Sequence, residues 1–140
     1  MTNLLRLTAL LGALAVAVGA FGAHGLKAIV GPEELVTFNT GVRYHFYHVL
    51  AMAVATVLHF AAGIELLGQR PRLKTQWLTR AVYAWATGII LFSGSLYLLT
   101  LQTQVGIPAS VLGPITPIGG LFFIVGWVFL FLAPSNKSLT

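Results

Sequence analysis

His45 and His48 stand three residues apart, a spacing that puts both imidazoles on one face of a helix. With His24 they make a candidate three-histidine site, and imidazole nitrogens suit zinc or copper. The competing reading bonds each ring to a carbonyl or a neighbouring side chain and uses it to fasten one helix to another. That second reading is preferred, because ligating histidines are oriented by a carboxylate or carbonyl behind them, and the only acids nearby are Glu33 and Glu34. His45 and His59 are fourteen residues apart, almost back on the same face, as two stacked haems in a bundle would need. Each haem also needs a second axial ligand, and no histidine remains to serve the inner one. No metal and no cofactor is therefore expected.

The other polar residues inside apolar stretches fall into short motifs. Arg43 precedes Tyr44, His45, Phe46, Tyr47 and His48; it reads either as an interfacial cation that reaches for water or as a clamp for a lipid phosphate or a carboxylate. Ser93 and Ser95 flank Gly94, where small residues let helices approach and hydroxyls bond across them. Gly119, Gly120 and Gly126 read the same way. Thr116 lies between Pro114 and Pro117, which remove backbone donors and free carbonyls at a helix start. The candidate ligand-binding set is thus His24, Arg43, Tyr44, His45, His48, Ser93, Ser95 and Thr116.

No catalytic residues are assigned. No serine has a histidine and an acid placed to activate it, and Glu65, the one acid besides Glu33 and Glu34, falls at the opposite membrane face. There is no cysteine, which removes disulfides, thiolate metal sites and thiol nucleophiles. Phosphate-binding glycine loops and dinucleotide fingerprints are absent as well.

The elements that carry these residues follow from composition. Charged residues make up 8 % of the 140-residue chain and hydrophobic ones 57 %, against about 25 % charged in a soluble domain. So few charges cannot clothe a water-exposed surface, so most of the surface must face lipid. In lipid every backbone polar group needs an internal partner, which leaves helices or closed barrels; period-2 alternation is missing, so helices are expected. Four apolar stretches, 4–26, 44–67, 77–101 and 115–133, each approach the ~20 residues that cross a bilayer. The first is too long for a signal-peptide core and reads as a retained helix. Between the first and second, Gly31, Pro32, Glu33 and Glu34 make a helix start, and Leu35, Phe38 and Val42 follow at helical spacing. A short amphipathic helix at the outer surface is expected there, continuing or bending into the second span at Gly41.

The net charge of +5 lies in the connections. Arg6, Arg70, Arg72, Lys74, Arg80 and Lys137 would fall on one side, and Lys27 and Arg43 on the other. Six basic residues against two place both termini in the cytoplasm. Since they form no continuous basic face, nucleic acid is excluded as a partner. On this topology the histidine, serine and threonine motifs all converge on the extracytoplasmic half.

In chain order, the segments Gly19–Leu26, Tyr44–His48, Phe92–Tyr97 and Thr116–Gly120, with Gly126 and Trp127, resemble the YgdD/YwdK-like family of small bacterial inner-membrane proteins, a domain-of-unknown-function family with eukaryotic relatives. The resemblance spans nearly the whole chain. It implies four membrane helices in one compact bundle and carries no reaction, substrate or cofactor. The expectation is therefore an all-α, four-helix, multi-pass protein of the bacterial inner membrane, one domain over residues 1–140. Its expected role is non-enzymatic, as a binding protein or an accessory subunit of a membrane complex, with the bilayer, other membrane proteins or a second copy as partners. The alternatives are a small-ligand binder or transporter and, more weakly, a histidine metal or redox site.

Overall fold

The computed structural model describes residues 2–64 and 73–134. Among them four helices are long and apolar enough to cross a membrane. Helix α1 is Thr2–His24 and α2 is Pro32–Ala61; a single 3-10 turn, Leu26–Ala28, lies between them. Helix α3 spans Thr75–Thr100, with a π-helical turn at Ile89–Ser93 inserted between two α-helical parts. Single turns at Gln102–Val105 and Ala109–Leu112 lead to α4, Ile115–Phe131. Glu65, Arg70, Arg72 and Lys137, and the end of the predicted second span, lie outside the described residues.

The fold class expected from composition is the one found: no strand forms among the described residues, only an isolated backbone bridge between Leu73 and Pro134. That bridge, with Lys74 N–H donating to the Ala133 carbonyl at 2.8 Å, ties the start of α3 to the end of α4.

The segment before the second span takes the continuing form of the two expected. Pro32 is the first residue of α2, with Gly31 extended before it and Glu33 and Glu34 in the first turn, as anticipated. The helix then runs unbroken for 30 residues, straight into the second span. Gly41 does not interrupt it; its missing side chain makes room for the Tyr97 ring and Leu96 of α3. Thirty residues make about 45 Å of helix, more than the hydrocarbon thickness, so the helix must tilt or project, and its acidic first turn, with Glu33 and Glu34, is the end chemically suited to project.

Helix α3 is the centre of the bundle. It packs along α2 on one side and α4 on the other, while α1 lies along α2 and barely reaches α3. Trp85, Leu78, Val82 and Ala81 of α3 are fully buried with Met52 and Ala55 of α2. Lipid provides no hydrophobic drive for helices to associate, so close van der Waals contact must supply it, and small residues allow that. Gly126 and Gly88 do so between α3 and α4: a side chain at Gly126 would run into the Trp85 indole, and one at Gly88 into the Phe123 ring. At Gly119 it would strike the backbone of Leu91 and Phe92, inside the π-helical turn. Gly94 has open space where its side chain would be. The close-contact role read from the sequence holds for Gly119 and Gly126, extends to Gly88, and does not hold for Gly94 or for Gly120, whose nearest neighbour would be 3.8 Å away. Gly22 seats Phe38 at the far end of the α1–α2 contact.

Candidate functional site

Two faces of α2 carry the polar residues, because consecutive residues turn about 100° around a helix. His45 is buried and faces the α3 side, where its Nδ1 is 3.2 Å from the Tyr97 hydroxyl. Its Nε2 is buried without a hydrogen-bond partner, although the Leu11 backbone of α1 lies beside the ring. Ser93, the last residue of the π-helical turn, is fully buried and its hydroxyl is also unpartnered, although Tyr97 lies beside it. Higher up, the Ser95 hydroxyl donates to the Phe92 carbonyl at 2.9 Å. Its single proton being so used, the 2.8 Å contact with Thr116 runs the other way, with Thr116 donating. This chain stitches α4 to a carbonyl within the π turn.

His48, about 60° around the helix from His45, meets α4 instead. Its Nδ1 is 2.8 Å from the Tyr44 carbonyl, which can only accept, so that nitrogen carries the proton. Nε2 is then the acceptor for the Trp127 indole N–H at 3.4 Å. The imidazole stacks face to face on Phe123, with ring centroids 3.5 Å apart and planes 3° from parallel. Trp85 donates to the Phe123 carbonyl at 3.2 Å, which fixes the strand of aromatic rings from the α3 side.

The backbones of α2 and α4 do not pack against each other; aromatic side chains bridge the space. What remains is a groove of about 660 Å³, open sideways, walled by Tyr44, Tyr47 and His48 on α2 and by Pro117, Gly120, Leu121, Phe123, Ile124 and Trp127 on α4, with Phe92 as its floor. Its size lies within the ~300–1,000 Å³ of small-molecule clefts, and its lining is apolar and aromatic with few polar groups, as those clefts are.

The sequence-derived candidates therefore separate. Ser93, His45, Ser95 and Thr116 lie between helices, in the bundle. Tyr44 and His48 line the groove. Arg43 and His24 are exposed. His45 and His48 were placed at the end of a helix starting at Tyr44. Since α2 starts at Pro32, His45 is instead about 20 Å along it. The pairing of Gly19 with Val42 and Gly22 with Phe38 puts His24 level with the first turns of α2, roughly 12 Å from His45 along the axis. Among the described residues no three histidines or acids are grouped to hold a metal. Tyr97, Phe123 and Trp127 were missed as site residues. Tyr97 and Trp127 fell within motifs singled out in the sequence, but an aromatic residue in a lipid-facing helix gives no sign of which neighbour it meets.

A family model described as "protein of unknown function", DUF423, matches residues 18–120, which takes in α2, α3, the α2 wall of the groove and the start of α4. The chain belongs to this family. The membrane protein YwdK of Bacillus subtilis is 42 % identical over 86 % of this chain and 85 % of its own. The membrane protein SAB0533 of Staphylococcus aureus is 40 % identical over 92 % of this chain and 95 % of its own. A fission-yeast membrane protein, C1782.12c, is 37 % identical over 87 % and 92 %. No solved structure matches. With four apolar spanning helices and relatives named as membrane proteins, this DUF423 member is a membrane protein. Its relatives occur in bacteria and in yeast, so what they share is a membrane and not one particular membrane.

Proposed function

We propose that the protein is a non-enzymatic binding protein of the bacterial cytoplasmic membrane that holds the apolar chain of an amphiphile in the groove between α2 and α4. The observation that carries this reading is the groove itself, which is of small-molecule size and walled by Tyr47, His48, Phe123 and Trp127. Its one histidine has both ring nitrogens engaged, so it serves as a wall and not as an acid or base. An apolar cleft open to the side of a membrane bundle is filled from the bilayer. Both termini are cytoplasmic in this proposal, on the basic-residue asymmetry already described.

Gly120 offers a direct test. A Cβ at Gly120 meets only the Phe92 ring, at 3.8 Å, an ordinary contact, and Gly120 lines the groove, so a larger residue there should fill it. Wild-type protein released from membranes in mild detergent should carry a bound lipid-mass ligand by native mass spectrometry, and Gly120→Phe should lose it while remaining monodisperse. Equal ligand loads on both proteins, or none on wild type, would overturn the reading.

A further inference from the structure

We propose that Arg43 makes the groove selective for an anionic phospholipid, its guanidinium holding the phosphate while one acyl chain lies in the groove. This deepens the groove reading and rests on it. Arg43 is exposed, and so are Val36, Leu50 and Val54 at seven residues before, seven after and eleven after it. Such spacings return to within about 20° of the same direction, so Arg43 interrupts an otherwise apolar, outward-facing stripe. A charge inside a spanning helix is costly and marks function unless it reaches a partner or the interface.

Among the described residues no acid lies near enough to pair with Arg43. Glu33 and Glu34, the acids among the described residues, lie nine and ten residues up the same helix, about 14–15 Å away. The geometry supplies a partner from the bilayer. Helical side chains lean toward the N-terminus of their helix, and the N-terminus of α2 is the end suited to project, so Arg43 reaches toward the headgroups. Tyr47, four residues on and about 40° around, is already groove wall. A phosphate on the guanidinium thus leaves the lipid's chain running down past Tyr47 toward Ile124 and Trp127, both exposed to the groove. Arginine's planar fork suits a phosphodiester, which it can bond through two donors.

The test uses the full chain in nanodiscs and its own tryptophan. Trp127 lies in the groove and Trp85 is buried; Trp77 is only half-buried and is replaced by Phe in every protein compared, so lipids brominated on the acyl chain quench Trp127 when they occupy the groove. Brominated phosphatidylglycerol at low mole fraction should quench about fivefold more effectively than brominated phosphatidylcholine, the preference one basic residue gives an anionic headgroup. Arg43→Gln should bring the two lipids to equal quenching without abolishing it, and Arg43→Lys should keep part of the preference. Equal quenching by both lipids in wild type would overturn the proposal and leave Arg43 as a residue that merely reaches the interface, with the groove reading intact. Quenching by neither lipid would overturn both. A preference that survives in Arg43→Gln would assign the selectivity elsewhere and overturn the role of Arg43. Should that variant not fold, the wild-type comparison decides by itself, since the preference must also fall as salt is raised.

Discussion

Gly119 of α4 lies against the backbone of Phe92, within the π-helical turn of α3, so closely that a methyl group there would collide with the Phe92 nitrogen. A π turn carries one residue more than the α-helical repeat, so its backbone bulges. Here the bulge faces α4, and only a residue without a side chain fits opposite it. The same turn leaves the Phe92 carbonyl available to Ser95, to which Thr116 of α4 adds its own hydroxyl. Bulge, glycine and hydroxyls form one joint between the two helices.

Gly119→Ala should therefore destabilise the bundle by about 1–3 kcal/mol, the range for overpacking a close contact. Gly94→Ala, with open space at its Cβ position, should be neutral or slightly stabilising. Thermal unfolding in detergent, followed by size-exclusion recovery, separates the two. Equal losses would show that the close approach at Gly119 does not exist.

The contact between His45 and Tyr97 is a polar link from α2 to α3 inside the bundle. Interhelical hydrogen bonds in membrane proteins average ~0.6 kcal/mol and reach ~1.7. A double-mutant cycle of His45→Phe and Tyr97→Phe should yield a coupling energy in that range. Additive effects would mean that the two side chains do not act as a pair.

Trp127→Phe keeps the ring in the groove wall but removes the donor that His48 accepts. The loss should be small, about 1 kcal/mol, because His48 remains stacked on Phe123 and bonded to Tyr44. His48→Ala removes the ring that bridges α2 to α4 and should cost more, at about 2–4 kcal/mol. If the order were reversed in urea or thermal denaturation, the stacked ring would not be what joins the helices.

Zinc is expected to leave the protein unmoved. His24 is exposed near the first turns of α2, while His45 and His48 point to different neighbours. The midpoint of thermal unfolding should be the same with added zinc, with a chelator, and in His24→Ala. A rise with zinc that His24→Ala removes would restore the three-histidine site.

The absence of cysteine gives a clean background for topology. Thr103→Cys, exposed in the connection before α4, should react with an impermeant maleimide in intact cells, and Asn3→Cys, exposed at the start of α1, only after permeabilisation. The opposite pattern would invert the orientation given by the basic residues.

Composition and apolar run length by themselves determined the membrane class and the number of helices, because the bilayer imposes a length and an apolar surface on any segment that crosses it; the helix start at Pro32 was legible only from the local Pro32, Glu33 and Glu34 signal, since the apolar run itself begins at Tyr44. The motifs holding His45, Ser95 and Thr116 were also legible, since polar residues at membrane depth stand out against their surroundings. Tertiary structure alone decided which face each one meets. Nothing in the sequence separates His45, buried toward Tyr97, from His48, stacked on Phe123, because a three-residue step around a helix is small and the neighbour it selects depends on where α3 and α4 are packed. The π turn, the glycine that fits it and the groove that opens where α2 and α4 meet only through side chains are likewise properties of how helices meet, which in lipid rests on contact shape and not on any pattern of hydrophobicity along one chain segment.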